Sequence, residues 1–161
     1  MTLSRNTARS VVDLYLARGR LRAEVPMLGF SRLSDLFNNA PGEFVGAYIY
    51  LAATATRRDL VVRLRDVRLV RPIDEQPSGG LKHNLPERLP ARVVLDLDDW
   101  QVTGDIHLVD RVPWLDFATG ARNRFISVNN ASVRFVGVAE PLECEYLLVN
   151  GARISALYEV D

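Results

Sequence analysis

The sequence predicts an all-β protein made of two tandem, duplicated small units, each a five-stranded β-barrel or β-roll with one short helical turn between strands 2 and 3. Three observations carry that expectation. Alternating β-branched, aromatic and polar residues recur through most of the 161 positions, the period of half-buried strands. Sliding the chain by 81 residues sets Val12, Leu14 and Leu16 on Val93, Leu95 and Leu97, and Leu21, Ala23 and Val25 on Val102, Gly104 and Ile106. A Pro- and Gly-rich stretch from Pro72 to Pro90 lies between the copies, where missing ladder donors and high backbone entropy favour a linker or crossover.

Each copy opens with two strands, R-S-V-V-D-L-Y-L then G-R-L-R-A-E-V in the first, R-V-V-L-D-L-D-D then Q-V-T-G-D-I-H-L in the second. Turns fall at Ala17 to Gly19 and at Asp98 to Asp99. The amphipathic F-S-R-L-S-D-L-F-N-N-A-P-G-E-F-V, from Phe30 to Val45, then reads as a short helix that stops at Pro-Gly. Its counterpart keeps the aspartate, Asp35 becoming Asp116, and an apolar pair, Leu33 and Leu36 becoming Trp114 and Phe117. Ser31 and Ser34 become Val112 and Leu115. That pattern favours a scaffold plug over the end of a sheet, its aspartate tying the turn to backbone N–H groups, rather than a nucleophile.

Third strands follow at F-V-G-A-Y-I-Y-L and F-I-S-V-N-N-A-S-V-R-F. A closing hairpin is expected in each copy, with Asn150-Gly151 as a type I′ turn in the second. Here the offset is expected to grow by four, pairing Arg68 with Arg153 and Leu69 with Ile154 across an insertion near Ala139 to Leu142. The expected boundaries are a first β repeat over 1–72, a linker over 73–90 and a second repeat over 91–161.

Composition narrows the function. An apolar fraction of 48% with 25% charged residues is that of a globular protein. The single cysteine, Cys144, permits no intrachain disulfide, and neither a signal-type apolar run nor a membrane-length segment is present, so the expected location is cytoplasmic. Net charge is zero, against a dedicated polyanion binder. The zero hides an asymmetry: residues 1–81 hold 12 arginines against 8 acids, and residues 82–161 hold 8 basic residues against 12 acids.

No motif for catalysis, metal or nucleotide emerges, and no cofactor is expected. The histidines, His83 and His107, and Cys144 are widely spaced, and Asp96, Asp98, Asp99, Asp105 and Asp110 lack the calcium-loop spacing. Arg18, Arg20 and Arg22 alternate along one predicted strand and Arg63 with Arg65 along another, so each set would share a face able to meet carboxylates or phosphates. Trp100, at the hairpin tip D-D-W-Q, is the candidate interface anchor.

The R-x-x-x-R of Arg5 and Arg9 before the first strand resembles that of PilZ domains, which implies cyclic di-GMP as a ligand for those two arginines. The D/N-x-S-x-x-G turn of that family is not matched: the nearest segment, N-A-S-V-R-F at Asn130, lacks the glycine. In size each unit is similar to Sm-like and SH3-like barrels, which implies nucleic-acid binding as a further alternative. The repeated strand-turn-R-L-S-D-L-F-N-strand layout resembles tandem copies of a small bacterial β domain, and this implies no activity. The expectation is a non-enzymatic binding or assembly module that meets a protein partner or a second copy of itself through exposed sheet faces.

Overall fold

In the computed structural model, which describes residues 8–51, 54–74, 89–108, 112–120 and 124–160, the alternating stretches of the sequence are strands. Among the described residues the fold is all-β apart from two short helices and two 3-10 turns, and the chain divides into units Met1–Glu75 and Gln76–Asp161. None of the described helices is long and apolar enough to cross a membrane.

In the first unit, β1 (Arg9–Leu16) and β2 (Gly19–Pro26) form a hairpin that runs from Arg9 opposite Pro26 to Leu16 opposite Gly19. Its tight turn ends on Gly19 at φ 144°, a conformation open to glycine. Helix α1 (Leu33–Asn39) leads into β3 (Phe44–Leu51), which pairs with β4 (Thr56–Arg63). A 3-10 turn over Leu64–Asp66 then sends β5 (Leu69–Pro72) back beside β1. The strand order is β5-β1-β2-β3-β4. Val12, Leu14, Ala23, Val25, Val45, Ala47 and Val62 are the inward positions of their strands and are buried, with Leu33, Leu36 and Phe37 of α1 and Leu64 of the turn.

The second unit comprises β6 (Leu89–Leu97), β7 (Trp100–Leu108), α2 (Trp114–Thr119), β8 (Phe125–Phe135), β9 (Leu142–Asn150), a 3-10 turn over Gly151–Arg153 and β10 (Ala156–Glu159). Its order, β10-β6-β7-β8-β9, is that of the first unit. In neither unit does a ladder join the two outer strands among the described residues, so each sheet is open where a closed barrel was one expectation. In both units a 3-10 turn follows the fourth strand, and the fifth strand pairs with the first.

Four backbone hydrogen bonds recur in both units. Leu64 N donates to Glu43 O and Gly151 N to Arg124 O; Val67 N donates to Leu64 O and Ile154 N to Gly151 O. Arg68 N donates to Tyr15 O and Ser155 N to Asp96 O; Ile73 N donates to Val11 O and Val160 N to Arg92 O. Arg68 is therefore matched by Ser155, not by Arg153, and the last strands sit at an offset six greater than the first ones. The extra residues lie at the β8–β9 end, where β8 has 11 residues and β3 has 8. Asn150-Gly151 is correspondingly no hairpin turn: the Asn150 side chain accepts from Ala152 N at 3.0 Å and starts the 3-10 turn, and β10 pairs with β6.

The helices differ in use. Helix α1 buries Leu33, Leu36 and Phe37, whereas α2 buries no residue and has Ala118 where α1 has Phe37. Trp114 and Phe117 instead pack edge to face at 5.6 Å, and Trp114 Nε1 donates to Glu159 at 3.2 Å. Burial of an apolar face, which the plug expectation requires, is seen for α1 and not for α2. The Asp35 carboxylate accepts from Arg32 Nε at 3.0 Å rather than from backbone N–H groups.

Candidate protein-binding groove

The arginines expected to form one anionic-ligand face are distributed differently. Arg18 lies in the β1–β2 turn, not on a strand. Arg20 and Arg22 are on β2, and both reach Asp13, whose side chain is 0% exposed: Arg22 Nε and Nη2 donate to its two oxygens at 2.9 and 3.1 Å, and Arg20 Nη1 lies 3.6 Å away. A buried carboxylate without such partners is costly, so these two guanidiniums support the first hairpin. The contact with Asp13 raises the Arg22 pKa. Beside it, the Tyr15 hydroxyl is pushed up by burial and then by Asp13, with Arg71 and Arg20 opposing.

Arg63 ends β4 and Arg65 lies in the 3-10 turn that follows. Glu24, Tyr48 and Asp59 form one cross-strand row. From that row Arg22 lies two residues toward one end of the sheet and Arg63 four residues toward the other, roughly 20 Å apart along the strands at about 3.3 Å per residue. Arg9 is the second residue of the R-x-x-x-R element; it pairs with Glu24 at 3.5 Å and lies 5.1 Å from the Tyr48 ring. Arg5 lies outside the described residues. Trp100 starts β7, half-buried, edge to face with Phe135 at 5.1 Å.

Elsewhere, His107 Nδ1 is 3.1 Å from the Asn129 amide, Asp105 pairs with Arg92, and Cys144 sits opposite Ala131. Among the described residues no three His, Cys, Asp or Glu side chains are grouped to hold a metal ion.

What the sheet does build is a groove of about 450 Å³ on the first unit, lined by Pro26, Leu28, Pro41, Phe44, Tyr48 and Val61 among others. Its basis is the period of F-V-G-A-Y: residues 44, 46 and 48 share the outer face of β3. Gly46 lies between two aromatic rings, opposite Val61 of β4, and a Cβ there would meet nothing within 4 Å. Val61 is 70% and Leu28 62% exposed, so the apolar walls face water. Each ring carries a guanidinium: Arg63 lies 4.8 Å from the Phe44 centroid and Arg57 3.5 Å from that of Tyr48. Asp59 adds one carboxylate to the lining. An apolar trough with cations near both ends suits a segment whose apolar side chains are flanked by carboxylates.

The groove was readable as an aromatic stripe at positions 44, 48 and 50, but the arginine-rich strand beside it drew the sequence reading to charge instead. The corresponding residues of the second unit are Phe125, Ser127 and Asn129. Phe125 is buried there, and Ser127 lies 2.9 Å from the Tyr146 hydroxyl, so polar contacts occupy that face. No family model, curated protein or solved structure matches the chain.

Proposed function

We propose that the two units are duplicated copies of one five-stranded β unit and that the protein is a non-enzymatic assembly module that associates with itself through exposed sheet faces. The observation that carries the reading is the Phe44–Gly46–Tyr48 groove, an apolar surface in water with guanidiniums on both aromatic walls. Opposite charge in the two halves of the sequence supports it, because complementary fields orient encounters between copies. Light scattering over a concentration series at low and high salt tests it. Mass above the 18.1 kDa monomer is expected at low salt, falling as salt screens the charges. A monomer at every concentration and ionic strength overturns the reading.

A further inference from the structure

We propose that the groove of the first unit receives the tip of the β8–β9 hairpin of a second copy, so that copies join head to tail. This rests on the assembly reading above and adds the two surfaces in contact.

The tip is where the second unit is longer than the first, and its extra residues are apolar and acidic. Val136 is 78% exposed and Val138 57%. They flank Gly137, at φ 82°, and precede the exposed Glu140. The two valines put exposed apolar area at a protruding tip, a shape that can enter a groove. The tip is also held in place. Val136 N donates to Asp99 O at 3.0 Å and Val138 N to Phe135 O at 3.1 Å, while Phe135 rests against Trp100. A preordered tip loses little conformational freedom on docking.

Charge selects the partner. Val136 N bonds to Asp99 O, Asp98 is the neighbouring residue of that turn, and Glu140 follows Val138 by two positions, with Arg134 two positions before Val136. At the groove, Arg57 and Arg63 lie over the aromatic walls against Asp59. An acidic apolar knob meets a basic apolar trough, and one chain carries both. Two different patches on one chain form a heterologous contact, which closes into a ring or continues as a filament. Trp100 then supports the knob from beneath rather than serving as the anchor itself.

The test uses two full-length variants. Gly46→Glu fills the groove with a side chain of the tip's own charge, and it introduces no backbone strain because Gly46 is extended within β3. Val136→Asp with Val138→Asp spoils the tip. Each variant is expected to melt within a few degrees of wild type and to sediment as a monomer where the wild type associates. Mixed in equal amounts they retain one good groove and one good tip between them, so they should form a one-to-one dimer and nothing larger. If Gly46→Glu does not fold, Val61→Glu takes its place.

Variants that associate like wild type, or a mixture that stays monomeric, overturn the pairing and leave the assembly reading standing. A wild type that is monomeric at every concentration overturns both.

Discussion

Gly104 shows how much one hydrogen atom can matter in a sheet. A Cβ added there would lie 2.9 Å from Asn129 O and 3.2 Å from Ala131 Cα, and would meet the Val128 side chain. The cause is a bulge: between the Thr103–Ser132 and Asp105–Asn129 pairs, β7 has one residue and β8 has two, with Asn130 at φ 49°. The equivalent residue in the first unit is Ala23, which is buried. Gly104→Ala is therefore expected to cost about 1–3 kcal/mol in denaturant unfolding, although alanine is native at the matching site. Tyr15 gives a second expectation. Its raised pKa means that the folded state holds the phenol proton more tightly than the unfolded chain does. The stabilisation is complete below the unfolded value of about 10 and is lost as pH rises through the folded one. Tyr15→Phe should flatten the alkaline loss of stability relative to wild type in melts above about pH 10. Neither residue announced its partners in the sequence. Gly104 is one letter of an alternating strand, and nothing in R-S-V-V-D-L-Y-L signals that two arginines of the next strand close over Asp13.

At the scale of elements, strands were more legible than their connections. The runs of β-branched and aromatic residues bounded by turn signals placed β1, β3 and β8 to the residue. Asn150-Gly151 misled, since the same dipeptide that favours a two-residue hairpin also caps a 3-10 turn, and only the partner of the following strand distinguishes them. The paired helices share Asp35 and Asp116 yet differ in burial, and the difference is testable. Phe37→Ala in α1 should cost about 3–5 kcal/mol as a buried aromatic. Phe117→Ala in α2, which removes one half-buried edge-to-face ring pair, should cost less, about 1–2 kcal/mol, by the same unfolding measurement. The groove shows where sequence reasoning stopped short: F-V-G-A-Y was read as a strand, but a trough also requires the small residue to lie opposite Val61, which is a matter of register.

Across the whole molecule, zero net charge conceals two halves of opposite sign. If association uses the apolar trough with its two guanidiniums, charge and apolar contact should separate experimentally. Arg57→Gln with Arg63→Gln is expected to lower association at low salt toward the level that wild type shows at high salt, leaving the high-salt level little changed in light scattering. Equal loss at both ionic strengths would place the two arginines in the contact itself rather than in steering.

The last strand of each unit lies beside the first. Val12 and Leu14 have β2 on one side and, on the other, Pro72 and Val70 from nearly sixty residues further along the chain. During synthesis the opening hairpin therefore leaves the ribosome with one edge bare, and that edge stays bare until Leu69–Pro72 follows. Completing the first unit requires closing that long loop, a cost set by chain entropy more than by local propensity. A chain stalled before Leu69 would present β1 as an open template to its neighbours.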